Sequence, residues 1–333
     1  MRKIEGEVPD YLRMLIKNPS LFLRKTHLIP FGLQDNLYDP PFMVDQFNEL
    51  TDLVVEKLEK IPNLARLGDR FKDTLIIGDT HGFIDSMRRI IRPFLEEKVD
   101  SLIFLGDYVD RGESGFVNFA LVLALKCAWP DNVIILRGNH EDIAMNQSYG
   151  LQQELLSYYN YEKYKQIAES IDIIYNYLSL AAITPQRSIA FHGGIPQEME
   201  RIDDLEIIPK PHGKIAAISD ETERKKAYNY FEQLRWNDPR ENQEEEFAES
   251  FRGFYFFNKQ VVERFLEKSG AKRIIRSHES RRGGFMSLFE GKVLHVFSAE
   301  PYGGIISMAF VIHEQKNGTT MLRDLDFNPI QKI

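Results

Sequence analysis

Residues 102–112 read LIFLGDYVDRG, a short apolar run that leads directly into glycine, two carboxylates and an arginine. Four other apolar runs end in a similar way: LIIGDTHG at 75–82, VIILRGNHE at 133–141, IAFHGG at 189–194 and IIRSH at 274–278. Short apolar runs bounded by turn residues are typical of buried strands. Because each of the five runs is followed by residues that can bind a metal ion or a phosphate, the sequence indicates one shared site.

The segments between the first three runs have helical patterns. Residues 85–97 and 115–128 are predicted helices; Asp85 is a candidate N-cap of the first, and Pro93 should kink or shorten that helix. Strands that alternate with helices predict βαβ units and a parallel central sheet. Further helices are predicted at 42–61, where apolar residues recur every three or four positions, and over most of 151–174.

The C-terminal part of the chain has a different, β-rich pattern. Residues 293–298, 304–314 and 319–325 carry mostly strand-forming side chains, and the turn sequence QKNG at 315–318 separates the last two segments. These segments are predicted to be antiparallel strands that form a second sheet against the first.

Six candidate metal ligands follow the predicted strands, and ligands of open α/β sheets bind at the carboxyl ends of the strands. They are Asp79, His81, Asp107, Asn139, His192 and His278. Oxygen and imidazole ligands without a thiolate suit Mn, Fe or Zn at a catalytic centre. Six ligands exceed what one catalytic ion needs, and they suit two ions about 3.5–4 Å apart with one carboxylate bridging them.

The composition is that of a globular protein, with 333 residues, 43% of them hydrophobic and 28% charged. The longest apolar run, 119–125, is far shorter than the roughly 20 residues that cross a bilayer, and the N-terminal residues do not resemble a secretory signal. A net charge of −8 argues against a general electrostatic attraction for nucleic acid. The single cysteine, Cys127, excludes an internal disulfide. We therefore expect a cytoplasmic protein that binds neither membranes nor nucleic acid.

The blocks GDTHG (78–82), GDYVDRG (106–112) and RGNHE (137–141) resemble the signature of the phosphoprotein phosphatase family of serine/threonine phosphatases, within the calcineurin-like metallophosphoesterases. The resemblance continues through HGG at 192–194, WNDP at 236–239, RG at 252–253, His278 and FSA at 297–299. It implies an α/β (α+β) fold, in which a central β-sandwich of two mixed sheets is flanked by helices. It also implies a dinuclear metal site at the C-terminal ends of the strands.

The resemblance covers about residues 42–315, and it implies a single catalytic domain there. Residues 1–41 would be an N-terminal extension, and residues 316–333 a C-terminal strand and tail.

Carried over residue by residue, the resemblance also implies roles. Asp79 and His81 would bind the first metal, Asp107 would bridge both, and Asn139, His192 and His278 would bind the second. The remaining site residues would be His140 as general acid, Asp110 to orient it, Arg111 and Arg252 to hold phosphate oxygens, and Tyr302 near the substrate. Arg137 would be a structural ion-pair partner or a further phosphate contact.

The implied reaction is the hydrolysis of phosphoserine or phosphothreonine by direct attack of a metal-bridging hydroxide. Two divalent ions would be needed, with Mn favoured and Fe or Zn compatible. The expected partners are phosphorylated proteins and a regulatory protein.

One loop departs from the family pattern. Residues 298–303 read SAEPYG where the family commonly has SAPNYC; Tyr302 keeps its place, but substrate preference is left open. The alternative is a related metallophosphoesterase that acts on a small molecule such as a dinucleoside polyphosphate. Asp110 and Glu141 favour the protein phosphatase, and the full ligand set with His140 disfavours a non-catalytic binding protein.

Overall fold

The computed structural model describes residues 2–23, 39–304 and 308–333. The helices are, in chain order, α1 (Asp10–Lys17), α2 (Val44–Leu58), α3 (Ile84–Leu95), α4 (Gly115–Ala128), α5 (Ile143–Tyr149), α6 (Leu151–Tyr158), α7 (Tyr161–Tyr177), α8 (Glu221–Trp236) and α9 (Lys259–Ser269). Short 3-10 helices lie at Pro19–Phe22, Ile202–Ile207 and His212–Ala217. Among the described residues, no helix is long and apolar enough to cross a membrane.

The strands form two six-stranded mixed sheets and one small sheet. They are β1 (Leu64–Arg66), β2 (Thr74–Ile77), β3 (Ser101–Phe104), β4 (Val133–Ile135), β5 (Ala181–Ile183), β6 (Ser188–Phe191), β7 (Asp238–Pro239), β8 (Phe247–Glu249), β9 (Tyr255–Phe257), β10 (Arg273–Arg276), β11 (Phe285–Leu288), β12 (Val293–Val296), β13 (Phe310–Glu314), β14 (Thr320–Asp324) and β15 (Pro329–Lys332). The first sheet has the order β15-β14-β13-β2-β3-β4, and the second has the order β1-β5-β6-β10-β12-β11. The small sheet has the order β7-β9-β8.

The βαβ units predicted from the first three apolar runs are confirmed. β2, β3 and β4 pair in parallel, and α3 and α4 provide the crossovers between them. α4 spans the predicted residues and is buried along its whole length. α3 starts one residue before Asp85, which lies in its first turn rather than at its N-cap, and it ends two residues after Pro93.

The two large sheets pack face to face, as the predicted β-sandwich requires. Ile76 of β2 and Ile103 of β3 are paired across the first sheet, and they lie in the same buried cluster as Ile275 of the second sheet. Leu75 and Ile77, on the opposite face of β2, belong to the cluster that packs against the helices. Alternate side chains of a strand point to opposite faces, so a strand buried on both faces is apolar throughout.

The predicted distribution of the C-terminal strands between the sheets is wrong. β13 pairs with β2, and β14 with β13, so both extend the first sheet with antiparallel strands. β12 instead lies in the second sheet, in parallel with β10. The second sheet also contains two of the five apolar runs, which form β6 and β10 and pair in parallel. Strand-forming composition predicts a strand but not its neighbour.

Other segments depart less from the sequence predictions. The helical stretch predicted at 151–174 is divided into α6 and α7, because Asn160 caps the start of α7. At the N-terminus, α1 buries Leu12, Leu15 and Ile16 in the cluster that contains α4. Residues 24–38 of the predicted extension and 305–307 of the predicted strand at 304–314 lie outside the described residues.

Candidate active site

The site lies where loops from both large sheets meet. β2, β3 and β4 of the first sheet, with β6 and β10 of the second, end in the loops that carry the six candidate ligands. Five predicted site residues have left-handed backbone angles, with φ between 42° and 81°: His81, Asp107, Asp110, Arg111 and His278. Non-glycine residues adopt such angles at a cost in free energy, so the surrounding packing must hold these loops in place.

The candidate ligands converge around Asp107. His81 Nε2 lies 3.6 Å from Asp107 Oδ2 and 3.8 Å from Asp79 Oδ2, and His192 Nε2 lies 3.4 Å from Asp107 Oδ1. The ligand atoms form two groups, and the atoms of each group lie within 4.8 Å of one another. One group is His81, Asp107 and His140, and the other is Asp107, His192 and His278. Asp107 is thus the one member common to both groups.

Asn139 completes the second group. Its Oδ1 lies 2.8 Å from His192 Nε2 and 2.9 Å from His278 Nδ1. The structure therefore brings all six predicted ligands together, and each of them is buried.

The chemistry of these residues fits divalent cations. Burial and the charge of Asp107 raise the pKa of Asp79, and Asp79 Oδ2 has no hydrogen-bond partner among the described residues. Asp79 and Asp107 are both neighbours of His81 and His192, and two buried carboxylates placed in this way are unfavourable unless cations compensate their charges. Carboxylate, amide and imidazole donors suit hard or borderline divalent ions.

Glu141 organises the loops, a role that sequence reasoning missed. Its buried carboxylate accepts hydrogen bonds from the backbone N–H groups of Asp107 at 2.7 Å, Tyr108 at 2.9 Å and Gly138 at 2.7 Å. Burial and the charge of Asp107 raise the pKa of Glu141 to about 7. These contacts join the loops after β3 and β4, so Glu141 positions ligands, and it does not itself line the site cavity. Its place in the RGNHE block was the only available signal.

His140 and Asp110 form a buried pair at the edge of the ligand groups. His140 Nδ1 lies 2.7 Å from Asp110 Oδ2, which leaves Nε2 for the cavity that His140 lines. Burial opposes protonation, but the charges of Asp107 and Asp110 raise the pKa of His140 above its ordinary value. Asp110 also accepts hydrogen bonds from the Asn146 side chain and the Leu151 N–H, both at 2.9 Å. Asn146 was missed because nothing in its sequence surroundings marks it.

The cavity over the ligands has a volume of about 440 Å³ and presents two guanidinium groups. Arg111 lies 4.2 Å over the Tyr149 ring, and Arg252 donates from Nη1 to His278 Nε2 at 2.9 Å. Tyr302 stacks on His81 with ring centroids 5.5 Å apart, and burial raises its pKa to about 12. Cavities of about 560 and 540 Å³ elsewhere are larger. The convergence of reactive groups, rather than volume, therefore identifies this one.

The loop at 298–303, whose sequence differs from the family pattern, is attached to the core through Glu300. Its carboxylate pairs with Arg89 of α3 and accepts a hydrogen bond from the Ala309 N–H. The Ser86 hydroxyl bonds the backbone of the same residue. The changed sequence thus has its own attachment to the core, and Tyr302 still reaches the cavity.

Arg137 has neither of the two roles predicted for it. It is 5% exposed, it donates from Nε to the Glu141 carbonyl and from Nη1 to His212 Nδ1, and it does not line the site cavity. No ion pair within 4.0 Å joins Arg137 to a carboxylate in the part of the chain that the structure describes.

Comparison with known proteins agrees with this geometry. Residues 73–282 match the calcineurin-like phosphoesterase family. A Schizosaccharomyces pombe chain provisionally named a serine/threonine-protein phosphatase is 32% identical over 76% of this chain and 77% of its own length. The catalytic chain of a protein phosphatase 2A from Dictyostelium discoideum is 31% identical over 76% of each chain.

Solved structures give the same result. A protein serine/threonine phosphatase from Saccharomyces cerevisiae superposes with a TM-score of 0.69 at 25% identity, covering 87% of this chain and 91% of that one. The chain therefore belongs to the calcineurin-like phosphoesterase family of hydrolases and, within it, to the phosphoprotein phosphatases.

Proposed function

We propose that this chain is a metal-dependent protein serine/threonine phosphatase that hydrolyses phosphomonoesters without a phosphoenzyme. The observation that carries the proposal is the His140–Asp110 pair, whose side chains lie 2.7 Å apart, with His140 belonging to one of the two groups of ligand atoms. An imidazole oriented by a buried carboxylate is suited to protonating a poor leaving group, and the alkoxides of serine and threonine are poor leaving groups.

Two divalent ions, Mn by preference and Fe or Zn as alternatives, would be held by the six buried ligands. Asp79, His81 and Asp107 would hold one ion, and Asp107, Asn139, His192 and His278 would hold the other. When bound, such ions lower the pKa of a coordinated water and stabilise negative charge on the phosphoryl oxygens. Because Asp107 belongs to both groups of ligand atoms, it is the expected bridging ligand.

The remaining site residues handle the phosphate and the leaving group. Arg111 and Arg252 would each donate to phosphoryl oxygens, since the guanidinium fork matches the spacing of two such oxygens. His140 would donate the proton on Nε2 to the departing alkoxide, while Asp110 holds Nδ1 and stabilises the protonated ring. Tyr302, stacked on His81, would form one wall of the space beside the phosphate.

The wider assignments follow from the same proposal. The catalytic domain would span 42–315, with an N-terminal extension at 1–41 and a C-terminal strand and tail at 316–333. The substrates would be phosphorylated proteins in the cytoplasm, and a regulatory protein would select among them.

Direct comparison of two substrate classes tests the proposal. The purified chain, loaded with Mn²⁺, should release phosphate from a phosphoserine peptide, and a chelator should abolish the release. A dinucleoside tetraphosphate should be hydrolysed far more slowly, because each of its phosphorus atoms has only two free oxygens for the metals and the two arginines, whereas a phosphomonoester has three. Faster turnover of the nucleotide would favour the small-molecule metallophosphoesterase and reject the proposal.

A further inference from the structure

A second cavity, of about 540 Å³, lies beside Arg137 and is separate from the active site. It is formed by α8, the 3-10 helix at His212–Ala217 and the end of α7. Among the described residues, its lining side chains and those of the active-site cavity have no member in common. The cavity therefore offers a binding surface that the proposed reaction does not use.

The three buried arginines among the described residues, Arg137, Arg235 and Arg276, differ in how their charge is compensated. Arg276 pairs with Asp238 at 2.6 Å and with Glu279 at 3.0 Å, and Arg235 pairs with Glu232 at 2.5 Å. A buried cation normally requires such a partner, because its removal from water is expensive.

Arg137 lacks that compensation. It donates hydrogen bonds to a carbonyl and to His212, which are neutral acceptors. The negative charges of Asp142, Asp172 and Glu141 act on it only from beyond 4.0 Å. His212 cannot add a negative charge, and its Nε2 is engaged by Asn63 Oδ1 at 2.9 Å. A positive charge therefore faces the cavity without a counter-ion among the described residues.

The other charged residues that line the cavity have the same sign. They are Arg224 and Lys225 of α8, and of these Lys225 is already paired with Glu221 at 2.7 Å. Among the described residues, no aspartate or glutamate lines the cavity. A ligand that entered would meet Arg137 at the base and Arg224 at the rim.

The rest of the lining is apolar and partly aromatic. Ile215 and Phe231 are 6% and 7% exposed, and Tyr228, which lies on α8 with Phe231, is 54% exposed. The Phe231 ring also lies 4.9 Å from the Arg137 guanidinium carbon, so the cationic and apolar parts of the wall adjoin. Concave, mostly apolar walls with a few convergent polar groups are typical of small-molecule sites.

We propose that this cavity binds a small organic anion, with its carboxylate or phosphonate-type group on Arg137, its flat apolar body against Ile215 and Phe231, and Arg224 at the rim adding attraction for the negative charge. The anion supplies the negative charge that the fold does not provide. Arginine donates hydrogen bonds to planar and tetrahedral oxyanions alike. The Arg137 side chain also bonds the Glu141 carbonyl, so an occupied cavity would contact the loop that carries His140.

Benzoate, phenylphosphonate and benzamide are suitable probes, because benzamide has nearly the shape of benzoate without the charge. Protein labelled on isoleucine δ1-methyl groups reports binding at Ile215, while Ile330 in the tail serves as a remote control. Benzoate should shift the Ile215 signal with a dissociation constant on the order of millimolar, and benzamide should bind about tenfold more weakly or worse. Comparison of benzoate with phenylphosphonate tells which oxyanion is preferred.

Charge reversal on α8 supplies the matched control. Arg224→Glu should weaken benzoate binding about tenfold or more, because it replaces attraction by repulsion at the rim. Lys226→Glu makes the same change in net charge on a residue that does not line the cavity, and it should alter binding by less than about twofold. Arg224→Met repeats the test without introducing an acid, should the first variant disturb the unliganded spectrum.

Three results would overturn the inference. They are an Ile215 signal that does not move up to about 20 mM benzoate, equal affinity for benzamide, and equal weakening by the two α8 charge reversals. Because binding is read without turnover, these results are independent of the proposed catalytic function.

Discussion

Replacement of His140 by asparagine should separate a proton donor from a metal ligand. The His140 backbone N–H donates to Asp107 Oδ1 at 2.9 Å and is unaffected by the change, so the ligand loop should keep its form. The imidazole that pairs with Asp110 at 2.7 Å is lost. A general acid contributes about 10²–10⁴-fold, so turnover of a phosphoserine peptide should fall by that factor, or by about 2.7–5.5 kcal/mol of transition-state stabilisation.

The loss should depend on the leaving group. p-Nitrophenolate departs without a proton, so the same variant should hydrolyse p-nitrophenyl phosphate within about tenfold of the unaltered chain. The assay is the release of inorganic phosphate from both substrates, with the metal content of each preparation measured in parallel. His140 also lies in one group of ligand atoms, so an equal loss on both substrates, accompanied by loss of metal, would show that it is a ligand and refute the assignment.

Three other predictions concern the pair, the loops and the phosphate contact. Asp110→Asn removes a charge that raises the pKa of His140. Because the protonated imidazole is the active form, the decline of kcat on phosphoserine at alkaline pH should move to lower pH. A pH–rate profile that does not move would contradict this. Gly138→Ala would place a methyl carbon 2.2 Å from the carboxylate oxygen Oδ1 of Asp107, so it should abolish metal binding. Gly253 has φ at 77° and open space around it, so Gly253→Ala should lower the free energy of unfolding by only about 1 kcal/mol, as measured by thermal denaturation. Arg252→Lys keeps the charge but loses the fork, so KM for the phosphopeptide should rise about tenfold with metal content unchanged; an unaltered KM would place Arg252 outside the substrate site.

The residues that carry chemistry were predictable from sequence because their identities are dictated by that chemistry. Asp79, Asp107 and His192 must offer donor atoms at strand ends, and the apolar runs before them must be buried on both faces. Both conditions are local, so they can be recognised in short segments of sequence. The structure accordingly brings the predicted ligands together.

The features that escaped prediction depend on contacts between distant segments. β13 and β14 are recognisable as strands, but their composition does not say that β13 pairs with β2 in the middle of the first sheet. Glu141 matters through three backbone N–H groups, and their meeting point is defined only once β3 and β4 lie side by side. The missing counter-charge at Arg137 is likewise visible only when all neighbouring segments are in place.

The number of metal ions bound per chain tests the two-metal site most directly. Elemental analysis after equilibration with Mn²⁺ should give two ions per chain for the unaltered protein and one for His278→Ala, which lacks a ligand of one group only. Asp107→Asn should retain neither ion firmly, because Asp107 belongs to both groups of ligand atoms. A single ion in the unaltered chain, or two in the Asp107 variant, would contradict the assignment of Asp107 as the bridge between two metals.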